Sequence, residues 1–207
     1  MAGTLVRRCE SIVVTFDKID SDAVTDVQVR PRTSADLKVL LPLLQQIHER
    51  EGYPVRAEAV SADWLTSADK PGVVSQPELA GWVAVSVSVS VAGEIDGGRV
   101  VGHLALHPPA GPCLPLWVAG TGRAPNGIAV VSRLFTDRTV RGAGSVLLEH
   151  AVAEAVARGR RAVLEVDASS PAHALYVRRG WHEQGRVVQQ WGHRAVDSAA
   201  LISPEAS

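Results

Sequence analysis

Two glycines stand where an apolar run gives way to a helical stripe, in Arg141-Gly142-Ala143-Gly144-Ser145. Glycines at such a junction let the backbone come close to a ligand. The amides that open a helix have no intrahelical acceptors, and with the helix dipole they form an anion site suited to phosphate or pyrophosphate. Arg138 and Arg141 add positive charge beside it. The competing reading is a strand-to-helix turn that merely needs small residues, and glycine spacing alone leaves the two evenly matched. A dinucleotide site would want G-x-G-x-x-G directly after a strand, with an acidic residue about 20 positions further on. Asp167 meets the last condition, but Leu147 holds the third glycine position, and residues 136–141 separate the strand from Gly142. A phosphate loop of the G-x-x-x-x-G-K-[ST] type is excluded, because no Gly-Lys-Ser/Thr follows.

The turn needs a strand before it and a helix after it, and the pattern supplies both. Residues 128–135 read as an apolar strand, and residues 145–158 as a helix with the stripe Leu148, Ala151, Val152, Ala155, closed by Gly159. Residues 161–167 form the next strand, 172–179 a shorter helix stopped at Gly180, and 181–191 one or two closing strands. Upstream, residues 27–30 alternate like a half-buried strand until Pro31. Thr33 or Ser34 caps a helix carrying Leu37, Leu41, Leu44 and Ile47, which Gly52-Tyr53-Pro54 ends. A short second helix is expected over 62–68. Residues 82–91 alternate valine with serine, the pattern of a strand with one wet face, and Asp96-Gly97 turns the chain into a partner strand over 99–107. Residues 108–127, rich in Pro and Gly, read as a long loop anchored by Trp117. The order strand, helix, helix, three strands, helix, strand, helix, strand specifies an α/β protein around a mixed sheet. The domain is expected over 27–191, after an arm over 1–26 with room for a strand at 11–16, and before a tail over 192–207.

Composition removes several classes of function. The 207 residues are 46% hydrophobic and 21% charged, ordinary values for a globular protein. Lys+Arg (21) against Asp+Glu (22) leaves a net charge of −1, without the basic surplus of a nucleic-acid binder. The two cysteines, Cys9 and Cys113, fit neither a metal spacing nor a disulfide framework, so no metal is expected. No apolar run approaches the roughly 18 residues of a membrane helix. Asp17 and Lys18 break the first apolar stretch, so it cannot be a signal-peptide core, and a cytoplasmic protein with no membrane partner is expected.

Two blocks carry a family resemblance. Arg138 to Leu148, RTVRGAGSVLL, resembles the R/Q-x-x-G-x-G/A loop of the GCN5-related N-acetyltransferases, which a Leu-Leu pair follows. Ser169 to Trp181, SSPAHALYVRRGW, resembles that family's N-x-x-A-x-x-L/F-Y-x-x-x-G-F block. The resemblance covers roughly residues 27–191, with both blocks in the family's order and separation. Three departures stand out: Thr139 at the first loop position, Ser169 in place of Asn, and Trp181 in place of Phe. The resemblance implies a single domain of α/β (α+β) class, a mixed, mostly antiparallel central sheet flanked by helices. It implies acetyl-CoA as co-substrate and acetyl transfer to a primary amine of a small molecule or peptide, by direct attack in a ternary complex. It places the pantetheine arm along Leu134, Phe135 and Thr136, and the pyrophosphate on Thr139, Val140, Arg141, Gly142, Ala143, Gly144 and Ser145. Ser169 and Tyr176 complete the cofactor side. A homodimer is left open. Thr139 and Ser169 also motivate an alternative, a non-catalytic CoA or acyl-CoA sensor on the same fold.

Acetyl transfer from a thioester needs a polarised carbonyl, a neutral amine and a proton for the departing thiolate. A phenol with pKa near 10 stays protonated at neutral pH, which makes Tyr176 the expected general acid. Glu165, in mid-strand beside the cofactor strand, is first in line as general base. His103, His107 and His173 are expected to be structural, and Tyr53 to cap its helix. The acceptor is expected to be chosen by residues 50–80 and 108–127.

Overall fold

The computed structural model describes residues 25–54, 59–66, 77–88, 98–191 and 193–205. They form one seven-stranded sheet. Its strands are β1 (Thr25–Pro31), β2 (Ala80–Ser88), β3 (Arg99–His107), β4 (Ile128–Thr136), β5 (Arg161–Asp167), β6 (His182–Trp191) and β7 (Arg194–Ile202). The spatial order is β1-β2-β3-β4-β5-β7-β6. Only β4 and β5 run parallel; every other neighbouring pair is antiparallel. The parallel pair demands a crossover, and α4 (Ala143–Ala157) supplies it. The other helices are α1 (Leu37–Glu51), α2 (Ala62–Thr66), α3 (Leu114–Thr121) and α5 (Pro171–Arg178).

Both faces of the sheet are covered. On one face Leu104, Leu106, Val131 and Leu164 meet Leu147, Leu148 and Ala151 of α4, with Tyr176 and Trp181 beside them. On the other face the apolar residues divide into two groups. Leu40, Leu44 and Ile47 of α1 and Leu65 of α2 pack on Val83 and Phe135. Further along, Cys113 and Trp117 pack on Ile128, Val163, Ala200 and Ile202. The strip between these two groups holds charged and imidazole side chains, and it becomes important below.

Four expectations needed correction. Residues 108–127 contain the helix α3 rather than only a loop. Its prolines and glycines lie at its margins: Pro115 is at the start, where its missing N–H costs nothing, while Gly111 (φ 81°) and Gly122 (φ 63°) adopt left-handed backbone on either side. Residues 192–207 are not a tail, since β7 lies between β5 and β6 with Ala199, Ala200 and Leu201 fully buried. Its sequence, RAVDSAALI, is short of the β-branched and aromatic residues that usually mark a strand. The wet face expected of β2 is also absent where the strand is central, because Val83 and Ala84 point to opposite faces and both are fully buried. The glycine turn is tighter than expected: α4 already begins at Ala143, which puts Gly144 inside its first turn. The arm over 1–24, residues 67–68 of the second helix, residues 89–91 of the valine–serine strand and the Asp96-Gly97 turn lie outside the described residues.

Candidate functional site

The sheet opens in the middle. β4 and β5 pair only through Ile128↔Arg161, Ala129↔Ala162 and Val130↔Val163. From Val163 to Asp167, β5 is instead held by β7 on its other side, so beyond Val130 the edge of β4 faces a gap. Within that edge β4 carries a bulge. His103 pairs with Phe135 but Ala105 pairs with Ser132, which leaves one extra residue on β4, and Arg133 sits at φ 54°. A non-glycine residue held in that region is costly and is maintained only by its surroundings. Around the bulge Leu134 packs toward α4, while Phe135 turns to the other face and lies 5.4 Å from the His103 ring. Thr136 reaches the start of α4.

The glycine turn closes one end of this gap. Asp137 shapes it: its Oδ1 accepts from the Thr139 amide (2.9 Å) and hydroxyl (2.7 Å), and its Oδ2 from Arg99 (2.8 Å). Burial pushes the Asp137 carboxyl up, but these hydrogen bonds outweigh it and hold the group below its ordinary value. Thr139 therefore spends both its donors on Asp137. Val140 N donates to Asp137 O, and Gly142 (φ 84°) is the N-cap of α4. Ser145 and Val146 donate to Gly142 O, so the amides of Gly142, Ala143 and Gly144 stand ahead of the helical ladder. The space over them is open. A Cβ at Gly142 would meet nothing within 4 Å, and one at Gly144 would make only ordinary contact with Thr136 Cγ2 at 3.8 Å. Arg141 is exposed at the turn, Arg138 reaches away to Glu51 (2.8 Å), and Arg179 hydrogen-bonds Ser145 Oγ. These groups fit an anionic ligand such as a pyrophosphate.

α5 borders the gap from the β5 side. Ser170 caps it, accepting from His173 N, with Pro171 in its first turn. Ser169 spends its hydroxyl on Asp167 Oδ1 (2.6 Å). Tyr176 is buried, with its ring 5.8 Å from Trp181, and burial pushes its phenol up to about 12. Tyr53, beyond the end of α1, is raised as well, first by burial and then by the nearby Tyr176. The two phenols thus converge from opposite sides. Tyr53 is more than a helix cap, since it also makes an edge contact with Trp64 (6.1 Å). Glu165 is placed differently from its expected role. It is exposed, its Oε2 accepts from Gln189 Nε2 (3.0 Å), and its other neighbour is Cys113. None of its described contacts is with Tyr176. His173 is likewise occupied, 2.7 Å from Glu183.

The strip between the two apolar groups holds a network that sequence spacing did not reveal. Arg32 donates through Nη2 to Glu78 Oε1 (2.9 Å) and through Nη1 to His103 Nε2 (3.1 Å) and Leu65 O. Because a guanidinium only donates, His103 Nε2 must accept, and its Nδ1–H then donates to Arg133 O (3.1 Å). The same logic fixes His107: Arg133 Nη1 donates to Nε2 (3.0 Å), so Nδ1–H points at Ser132 Oγ (2.7 Å). Burial, followed for His107 by the guanidinium of Arg133, pushes both imidazoles down to about 3, so they are neutral at physiological pH. Arg133 also lies over the Trp64 ring at 5.2 Å and 4.0 Å from Glu78 Oε2. Arg32, Trp64, Glu78, Ser132 and Arg133 come from scattered stretches, and no local motif joins them.

Residues 44–181 match the family model described as the Acetyltransferase (GNAT) family, two thirds of the chain. The chain belongs to that family. Among solved structures it is similar to Arabidopsis thaliana NAA60 in complex with acetyl-CoA, with 20% identity, TM-score 0.57, and coverage of 86% of this chain and 98% of that one. It is also similar to a putative phosphinothricin N-acetyltransferase (20% identity, TM-score 0.55, coverage 88% and 100%). A third similar structure is a ribosomal-protein-alanine N-acetyltransferase from Brucella melitensis (20% identity, TM-score 0.55, coverage 85% and 98%). No curated protein matches the sequence. Among the described residues no helix is long and apolar enough to cross a membrane.

Proposed function

We propose that the protein is an acetyl-CoA-dependent N-acetyltransferase that acylates a primary amine of a small molecule or peptide by direct attack in a ternary complex. The observation that carries this reading is the gap between β4 and β5, with free helix-opening amides at one end and a buried polar strip on the opposite face. Bound there, acetyl-CoA would supply an electrophilic thioester carbonyl and a thiolate leaving group. The amides of Gly142, Ala143 and Gly144, helped by Arg141 and Ser145, would hold the pyrophosphate. The unpaired edge of β4 at Leu134, Phe135 and Thr136 would hold the pantetheine arm through backbone groups. Thr139, Val140 and Ser169 would shape the site rather than donate to the ligand, since the donors of Thr139 and the hydroxyl of Ser169 are engaged.

Tyr176 suits the acid role. Its raised phenol carries a proton throughout the physiological range, so it is available to the sulfur as negative charge develops there. Direct attack is favoured because no nucleophile on the described strip is prepared. His107 already bears a proton on Nδ1 and cannot take the Ser132 proton, and burial, with Glu165 adding to it, pushes the Cys113 thiol up to about 12. Neighbours of this fold described as acting on phosphinothricin and on a ribosomal protein support both a small and a peptide acceptor. The test is thiol release from acetyl-CoA with a panel of lysine, amino sugars, aminoglycosides and peptide N-termini. CoA binding with no thiol release from any acceptor would instead support the sensor, the reading that the engaged side chains of Thr139 and Ser169 favour.

A further inference from the structure

Glu78 lies just before β2 and folds back across the strand. That course is open only because residue 81 is glycine, whose added Cβ would fall 2.6 Å from Glu78 Oε1. Oε1 is clamped by Arg32, so the carboxylate cannot turn. Oε2 is buried and has no hydrogen-bond partner, with Arg133 Nη1 standing off at 4.0 Å. A buried carboxylate oxygen left in that condition costs free energy, typically about 1–3 kcal/mol or more for a charged group, and calls for a donor. Arg133 also links this spot to the reaction, since its charge acts on Tyr53, which in turn feels Tyr176.

We propose that Glu78 receives the acceptor, binding it as a protonated alkylamine through Oε2 and taking one proton from it. The inference rests on the acetyltransferase reading of the same groove. The N–H bond breaks, an O–H bond forms on Glu78, and the electron pair stays on nitrogen as the lone pair that attacks. The proton passes to solvent once the product has left. Among the described residues, the charged and titratable groups around Glu78 are consistent with this. Arg32 at the end of β1 and Arg133 on β4 keep the carboxylate ionised, while His103 and His107 on β3 are neutral and do not compete for the proton. Burial, the largest influence on Glu78, still raises its carboxyl above the ordinary value despite both guanidiniums, which brings it closer to an amine in proton affinity. Arylamines, uncharged at neutral pH, would gain no ion pair with Glu78.

The experiment uses the full chain with acetyl-CoA and two probe acceptors, n-butylammonium and aniline. Wild type should release thiol with butylammonium and at least roughly tenfold more slowly with aniline. E78Q should lose about 100-fold or more in kcat/KM, the usual scale of a lost proton acceptor, with CoA affinity unchanged. E78D keeps the charge on Arg32 but withdraws the oxygen by one methylene, and should lose roughly tenfold, which keeps the test valid if E78Q fails to fold. Equal use of aniline, or unchanged kcat/KM in either soluble variant, overturns the proposal. Infrared difference spectra of the CoA complex give a readout without turnover: butylammonium should shift a carboxylate band that is missing in E78Q. If the band shifts but wild type acetylates nothing, the amine site stands and the transferase reading falls. If the band is unmoved, the amine site falls.

Discussion

The glycine turn and the polar strip lie on either side of one gap and are made of different materials. The turn offers backbone amides, with open space where side chains would be. The strip is built mainly of side chains, from Arg32, Tyr53, Trp64, Glu78, His103, His107, Ser132 and Arg133, and it fixes even the tautomers of its histidines. Backbone donors suit a ligand part that never changes, because they survive most substitutions around them. Interlocked side chains suit a part that must be chosen, because changing any one of them disturbs the rest.

The contrast is most directly broken at Tyr176, which belongs to neither side. Tyr176→Phe keeps the ring and its packing on Trp181 but removes the proton. If it is the acid, kcat and kcat/KM should fall together by 10²–10⁴, about 3–5 kcal/mol of barrier, with CoA affinity intact. A change within about twofold, read from steady-state kinetics beside a CoA titration, would leave the proton to water. On the side-chain half, Arg32→Met strands Glu78 as a buried charge. Breaking one partner of a buried pair costs about 3–5 kcal/mol, and denaturant unfolding should show it; a loss below about 1 kcal/mol would mean that the strip is looser than its hydrogen bonds imply.

On the backbone half, CoA at a hundred times its dissociation constant should stabilise the fold by about 2.7 kcal/mol, while NADH does little. Gly144→Asp should erase that gain yet leave the apo protein's melting temperature nearly unchanged, since the added Cβ meets only ordinary contacts and the backbone there is unstrained. A large drop in apo stability would show the turn to be structural. The last prediction concerns pH. His103 and His107 are held near 3 in the fold against about 6.5 unfolded. Below about 6.5 the unfolded chain therefore binds protons that the fold refuses, and stability should fall by about 1.4 kcal/mol per pH unit for each ring. The loss continues as pH drops toward 3, partly offset by the raised Glu78 carboxyl, which acts in the opposite direction. Unfolding curves at pH 7 and 5 should differ in wild type and converge when both histidines are replaced by Gln.

Legibility in the sequence followed the same division. The strand, glycine turn and helix through Ile128, Gly142 and Leu148 were readable because period and turn chemistry are local signals. Helix α3 was not, because LPLWVAGT is apolar on every side and gives no period to detect, while its flanking glycines suggested a loop. Strand β7 hid in a run of alanines and serines whose extended form is imposed by β5 and β6. Glu78 could not have been found: its neighbours Arg32 and Arg133 are 46 and 55 positions away, by subtraction of residue numbers. Glu165 drew attention instead because it lay in a recognisable strand, and the structure turns it toward Gln189 and Cys113.

The placement of β7 also bears on how this molecule is made. A ribosome delivers β5 some thirty residues before the strand that pairs with it, since Val163 bonds to Ile202 and Asp167 to Ser198. Through that interval one edge of β5 has no partner, and the apolar pocket around Trp117 lacks Ala200 and Ile202. Such an edge is a template for other chains. Pairings so distant in sequence also form slowly, because loop closure must precede any contact. The nascent chain is thus exposed to aggregation and proteolysis from the emergence of β5 until β7 follows it, and a truncation before Arg194 would make the exposure permanent.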